Sequence, residues 1–441
     1  MDFILLVAVT FVVGKVQAQT FGESVLMHEW SYLEFDWPSK DQREESIQNE
    51  TYIPERSVIA GIKTYKGDIY LSIPRWFWTF GQPVTLAKLV EVEGEMKLRP
   101  YPSWAAQKQG NCRALQYVWS MEIDPNTGLM YVIDSGRVAA QLNLCPAKII
   151  VYDLNTDEQV QLFELPDDVV SRTRNFLNDL VLDYVDGEVR YAYITDANDG
   201  LLVGFDFQTG KAYNMEHSTM RVDNINDSVM EIGNKLYNFP VPIDGIAMSP
   251  DFQYVYYSIL GGYNLFQVPT SALRNYTTLE DKVRTVGKKV SQTDGMIHGT
   301  KHLYYGALSL NAVYYWDVEH DMEEQKLPVD QVNLTTQVKL IQDETRIQWP
   351  DTFALDEDGW LWFVSNRLHL VKTPQTFAVT KDPQMRIWKV FVNETSYLHE
   401  AHLRTASPFE TNANVKKSHA KKSHFNEHNT EENVSTRKNE L

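Results

Sequence analysis

Four residues in the last third of the chain carry side chains suited to proton transfer on a small acid. Asp294, His298 and His302 lie close together, and Arg367 follows. A carboxylate or an imidazole can remove a proton next to a carboxylate, and an arginine can hold that carboxylate. Read singly, Asp294-Gly295 is also a turn signal, and lone histidines are usually structural or solvated. Other chemistries find no pattern. There is no G-x-S-x-G elbow, P-loop or H-E-x-x-H. The two cysteines, Cys112 and Cys145, exclude a four-thiolate zinc site, and their expected pairing removes a thiol nucleophile. Asp134, Asp196 and Asp244 recur near the ends of expected strands. They read first as loop braces accepting backbone N–H groups and only second as ligands. A calcium-dependent lactonase is the metal alternative, but the acids lack a distinctive ligand spacing, so neither metal nor cofactor is expected.

The elements that must position these groups form a repeat. An apolar-alternating strand, a short polar turn and a strand rich in Tyr, Val and Leu recur six times. The turns are Lys66-Gly67, Asn126-Thr127-Gly128, Asp186-Gly187, Asp251-Phe252-Gln253, Thr300-Lys301 and Asp358-Gly359. Their period of about 60 residues suits one β-hairpin plus a weaker pair of strands. Four strands per unit and six units predict an all-β fold, a six-bladed β-propeller. Such a ring closes by sharing strands from both chain ends, and Ser24 to Trp37 is the candidate closing strand. Two or three β-sandwiches are the alternative, but they call for composition breaks that the chain does not show. The best helix candidate is short, around Asp167–Ser171.

Composition bounds the partners. The chain has 441 residues and a formal net charge of -18, with Asp plus Glu 59 against Lys plus Arg 41. A nucleic-acid surface needs the opposite sign. Aromatic residues make up 12%, which calls for a substantial packed core. Ile4 to Val13 is an apolar run with the length of a signal-peptide core, and Val16-Gln17-Ala18 offers a cleavage site, so residues 1–18 read as a signal peptide. No later run is long enough for a transmembrane helix. N-x-[ST] sequons at Asn49, Asn226, Asn275, Asn333, Asn393 and Asn433 are expected glycosylation sites. In an oxidising route Cys112 and Cys145 are expected to pair, contributing about 3–4 kcal/mol by loop entropy. Residues 19–404 are then the propeller, and 405–441, poor in apolar residues, a disordered polar tail. The expected destination is secretion. The chain ends Lys438-Asn439-Glu440-Leu441, similar to a Lys-Asp-Glu-Leu address, so retention in the endoplasmic reticulum is the alternative.

The motifs inside the repeats resemble the yellow / major royal jelly protein family of insects, over about residues 24 to 395. They are Pro74-Arg75-Trp76 followed by PVTLAKL, Tyr101-Pro102-Ser103-Trp104, the MYVIDSG run at 130–136, and TDANDG at 195–200. Then come Asp244-Gly245-Ile246-Ala247, the WPDTF run at 349–353, and Ser365-Asn366-Arg367-Leu368. Order and spacing carry the likeness more than any one motif. One departure is Tyr315-Trp316-Asp317, where several members have Cys-Trp-Asn, which removes a second disulfide.

The resemblance implies a secreted six-bladed propeller of melanin or catecholamine metabolism. Some members are similar to dopachrome-converting enzymes, and that conversion is the leading expectation, with Asp294, His298, His302 and Arg367 as catalytic candidates by residue type and the noncatalytic roles as the alternative. Others bind biogenic amines in a central channel, and others are cuticle or pigmentation proteins without catalysis. In the amine-binding members, polar contacts correspond to Thr352 and Asn366 here. Asp351 and Leu368 belong to the same repeat and complete the expected ligand set. The expected partner is therefore a small catechol, indole or biogenic amine. The acidic charge favours a cationic amine over an anionic substrate at long range. Oligomeric state is not encoded in any of these features.

Overall fold

Each of the six turns joins the first and second strands of a four-stranded antiparallel sheet. In the computed structural model, residues 19–76, 80–139, 142–276, 278–370 and 382–405 are described. The expected signal peptide, the expected tail beyond Thr405, Asn433 and Lys438–Leu441 lie outside these residues. Blade 1 is Ile62–Tyr65, Asp68–Ser72, Leu86–Val92 and Glu95–Pro100. Blade 2 is Val118–Asp124, Leu129–Asp134, Lys148–Asp153 and Glu158–Glu164. Blade 3 is Leu177–Val185, Glu188–Asp196, Leu201–Asp206 and Lys211–Met215. Blade 4 is Ile243–Met248, Tyr254–Ile259, Asn264–Pro269 and Arg284–Lys288. Blade 5 is Met296–His298, His302–Ala307, Ala312–Asp317 and Gln337–Gln342. Blade 6 is Trp349–Leu355, Trp360–Asn366 and Met385–Phe391, completed by Ser24–Trp30.

The first strand of each blade is innermost, and these strands neighbour one another around the ring, blade 1 against blade 6 included. The fold is the expected six-bladed β-propeller. Its closure is also as expected: Ser24–Trp30 pairs antiparallel with Met385–Phe391, so one blade is built from both ends. The closing strand stops at Trp30. Beyond it Leu33 and Phe35 are buried against blade 1, where Phe35 bridges Leu98.

Local chemistry explains the strands. Lys66 and Gly67 both take positive φ, as do Asp186 and Gly187, which is what a two-residue hairpin turn requires. Inner strands are buried along nearly their whole length, whereas the outer Glu158–Glu164 presents mostly exposed residues on a polar edge. Large rings fill the wedges between twisted sheets. Tyr256, Tyr257, Tyr304, Tyr305, Trp316 and Trp349 are fully buried, each contributing roughly 1.5–3 kcal/mol on burial.

Two local expectations change. Asp167–Ser171 is not a helix: Val169 and Val170 both donate to Pro166 O in a tight turn. The described α-helices are short and lie elsewhere. Lys40–Gln48 is capped by Ser39, whose Oγ accepts from Gln42 N at 3.2 Å, and Val318–Gln325 is capped by Asp317. At the Tyr315-Trp316-Asp317 departure, the Trp316 indole donates to Asp321 Oδ2 at 2.8 Å. Asp321 also takes Thr335 and Thr336, so a hydrogen-bonded knot braces this loop.

After blade 6 the chain crosses the turn face. Tyr397 Oη accepts from Leu182 N at 2.9 Å, Asn126 Nδ2 donates to Leu398 O at 2.8 Å, and Gly187 N donates to Thr405 Oγ1 at 3.2 Å. Tyr397 lies against the lower end of the central channel, which narrows there to about 10 Å³. Among the described residues no helix is long and apolar enough to cross a membrane.

Candidate functional site at the channel mouth

At the start of five inner strands, two residues stand where the ladder offers one register step or has not begun. They are Trp119-Ser120, Asn178-Asp179, Asp244-Gly245, Asp294-Gly295 and Asp351-Thr352. Four of these pairs fall in register shifts of the inner ladder. Such bulges re-aim side chains. Here they place a polar or aromatic residue from each of these five blades near the axis, at the end of the channel away from the hairpin turns.

The glycines allow the close approach. A Cβ on Gly245 would lie 2.1 Å from Asp294 O, and one on Gly295 would lie 2.0 Å from Asp351 O. Neighbouring inner strands therefore touch backbone to backbone, with Gly295 N donating to Asp351 O at 2.8 Å. Asp294-Gly295 is not a turn of the chain. It is a strand-to-strand contact that brings Asp244, Asp294 and Asp351 near one another.

A cavity of about 470 Å³ opens here. Trp76, Trp119 and Phe176 form one wall, with Trp76 and Trp119 4.7 Å apart and Trp119 and Phe176 5.2 Å apart, centroid to centroid. Phe239 and Trp349, 5.2 Å apart, form another. Asn178, Asn198, Asn238, Asp244 and Asp294 supply its polar groups, and Leu260, Val241 and Leu368 complete it. No Lys, Arg or His lines it among the described residues.

The carboxyl groups are tightly held. Asp294 accepts from Trp349 Nε1 at 2.6 Å, and Asn178 Nδ2 donates to Asp244 Oδ1. Asp244 and Asp294 line the same cavity across the strand contact at Gly245, and two neighbouring buried carboxyls disfavour double ionisation. Burial, first, and then the neighbouring Asp294 raise Asp244 well above the ordinary carboxylate range. Burial raises Asp294 as well, opposed by its interactions with Asp244 and Trp349. Asp351 is raised by burial and by Asp294, and Asp179 is pushed up to about 6 by burial. Below them the channel is blocked by the buried Lys63–Glu122 ion pair at 2.9 Å, beside Ser120 Oγ bonded to Asp179 at 2.8 Å. The cavity is a well open at one end.

The residues expected from sequence distribute unevenly about this well. Asp294 and Leu368 line it. Asp351 and Asn366 are buried beside it and spend their polar atoms within the protein. Asn366 Nδ2 donates to Asp351 Oδ2 at 2.7 Å and to Ile59 O at 3.0 Å, and its Oδ1 accepts from Leu368 N at 2.9 Å. Thr352 faces the narrow lower channel and donates to Asp351 at 3.2 Å. His298 lies in that lower channel too, with Nδ1 2.7 Å from Gly299 O, and burial lowers its pKa. His302 is on the second strand of blade 5, held by Glu394 and 3.6 Å from Asp317. Arg367 reaches Thr345 O and Gln384 Oε1 and is not part of the cavity. The four catalytic candidates do not converge.

The recurring acids divide as well. Asp134 accepts from Gln116 N at 2.7 Å, Tyr117 N at 3.0 Å and Gly136 N at 2.8 Å. Asp196 accepts from Phe176, Asn198 and Asp199 N–H groups. Both brace loops. Asp244 is a cavity group, which corrects its first reading as a brace. Arg75 is buried and donates to the carbonyls of Gln82, Pro83, Gln107 and Leu115, which holds the loop that carries Trp76 into the wall. Of the wall residues, Trp76 and Trp349 stand in the family motifs without a site role assigned to them, and Trp119, Phe176 and Phe239 carry no sequence signal. Superposing the six repeats on their inner strands, rather than on their turns, would have exposed the aspartates.

The single disulfide joins Cys112 and Cys145, Cα atoms 5.1 Å apart. Asn49, Asn226, Asn275, Asn333 and Asn393 are all exposed.

A family model described as major royal jelly protein matches residues 118–397. Protein yellow of Drosophila pseudoobscura pseudoobscura is 24% identical over 384 residues, covering 83% of this chain and 66% of that protein. Protein yellow of Drosophila melanogaster is 23% identical over 385 residues, covering 83% and 68%. The chain thus spans about two thirds of the length of these relatives. A solved luciferin-regenerating enzyme is 12% identical with a TM-score of 0.44, covering 78% of this chain and 96% of that one.

Proposed function

The chain belongs to the major royal jelly protein family, and from that premise we propose that it binds a small cationic aromatic amine in the channel mouth. The carrying observation is the lining: aromatic walls from Trp76, Trp119, Phe176, Phe239 and Trp349 over the carboxyl pair Asp244 and Asp294. Ring faces attract a cation by about 0.5–2 kcal/mol each, most when desolvated, and a carboxylate supplies the ion pair. The volume suits a single-ring or two-ring amine.

Dopachrome conversion is the second reading, favoured by one observation. Asp294, a candidate base, lies on the cavity floor with a raised pKa. Against it, Arg367 is engaged elsewhere and cannot hold the substrate carboxylate without moving. One experiment separates the two. Serotonin and dopamine are titrated calorimetrically into the purified protein, and dopachrome loss is followed beside a blank. Saturable binding without faster loss supports the binder, accelerated loss supports the enzyme, and neither signal removes both.

Five exposed sequons and the single disulfide support a secreted glycoprotein. Secretion with and without residues 438–441 tests the retention alternative, which equal secretion removes.

A further inference from the structure

The channel mouth holds two acids where a bound cation needs one negative charge or two. Asp244 and Asp294 sit on adjacent inner strands that touch at Gly245. Among the described residues Asn178 Nδ2 donates to Asp244 and Trp349 Nε1 to Asp294, and the two carboxyls line one cavity. We infer that a cation entering this cavity expels a proton held by the pair Asp244 and Asp294, so that the site exchanges a proton for its ligand. The inference rests on the amine-binding reading above.

The surroundings leave the proton little alternative. The charged groups that act on the pair are Asp351 from blade 6 and Asp179 from blade 3, both of the same sign. Lys63 of blade 1 acts on Asp179, but its ammonium is held by Glu122 of blade 2 one layer lower. The remaining lining is apolar or neutral. Two neighbouring buried carboxyls with no cation beside them do not readily both ionise. An ammonium supplies the compensating charge and fresh N–H donors, so the second carboxyl ionises and its proton leaves through the open mouth to solvent. Reciprocity between the two binding events then makes affinity rise with pH across the titration of the pair, by up to roughly tenfold per pH unit.

The test is calorimetric titration of serotonin into the full chain between pH 7 and 8, in phosphate and in Tris. The difference in heat between buffers counts protons released. Serotonin keeps its own ammonium proton in this range, as an alkylamine near the lysine value of about 10.4 does, so any proton counted leaves the protein. The expected result is release approaching one proton per serotonin, abolished in Asp244→Asn, whose amide carries no transferable proton. Binding with no proton release at any pH overturns the inference and leaves the amine reading standing. Release that persists in a folded Asp244→Asn overturns it too. If that variant does not fold, the buffer comparison on the unaltered protein decides alone. Absence of serotonin binding removes the amine reading and the inference with it.

Discussion

Trp349 donates its indole N–H to Asp294 Oδ2 at 2.6 Å while its ring stands 5.2 Å from Phe239. One side chain therefore belongs to both the aromatic wall and the acidic floor. Trp349→Phe keeps most of the ring surface and removes the donor. Without it Asp294 holds its proton more firmly, and cation affinity falls. A hydrogen bond to a charged group is worth about 1.5–3 kcal/mol, so serotonin affinity at pH 7 should drop about tenfold or more. Calorimetric titration of the variant measures it, and unchanged affinity would detach Asp294 from the ligand.

The opposite pattern is expected at Asn366. Its three bonds go to Asp351, Ile59 and Leu368, all within the protein. Asn366→Ala leaves a buried carboxyl and a buried carbonyl without that donor, at a cost of about 1–3 kcal/mol. Urea unfolding should show this loss. Serotonin affinity of the folded variant should change less than about threefold, within the scatter of a surface change. A large loss of affinity with unaltered stability would make Asn366 a ligand contact instead.

Lys63 and Glu122 seal the well from below, both buried. Lys63→Met strands Glu122 without its partner, which costs about 3–5 kcal/mol. Pairing it with Glu122→Leu should recover most of that loss, since an apolar pair of similar volume suits the site. Thermal unfolding of the two variants tests the order. A double variant no more stable than the single one would show that the pair contributes by hydrogen bonding and packing rather than by charge balance.

The strap that crosses the turn face is fastened by His302 and Glu394. Glu394 also accepts from Lys301 N at 2.8 Å and from Tyr304 Oη at 2.5 Å. His302 is raised by its bond to Glu394 and by the charges of Glu394 and Asp317, against burial. Its contribution is thus fully present below the ordinary histidine value and lost as pH rises through the raised one. Glu394 is lowered by its bond to His302, against burial, so its contribution is present above the ordinary glutamate value and lost as pH falls through the lowered one. The contribution of this pair should therefore be greatest between these ordinary values, pH 4.5 to 6.5. Denaturant unfolding of the unaltered protein and of Glu394→Gln across pH should differ most in that window.

Cys112 and Cys145 close a loop of sequence separation 33 that includes the two-stranded ribbon of Arg137–Ala139 and Leu142–Asn143. Replacing both with Ala should cost about 3–4 kcal/mol by the loop-entropy model. The midpoint of urea unfolding reads the loss directly. A change well under 1 kcal/mol would mean that the loop is already ordered by Asp134 and Arg75.

Period-two alternation and turn chemistry act locally, so the six hairpins and a closing strand from Ser24 were legible in the sequence, but not that strand's end at Trp30 rather than Trp37. So was the pairing of Cys112 with Cys145, since only two thiols exist. The family motifs were legible as words, but their roles were not. Pro74-Arg75-Trp76 holds a wall because a buried guanidinium collects distant carbonyls, and Asp294-Gly295 is a contact between strands rather than a turn. Asp244 and Asn366 are both polar residues at strand ends, and nothing local separates them. Asp244 becomes a cavity group because a bulge aims it at the axis beside Asp294. Asn366 becomes a brace because Ile59 and Asp351, far apart along the chain, meet it there. Strand pairing is written in neighbouring residues, whereas the floor of the well exists only where six inner strands converge and bury their charges together.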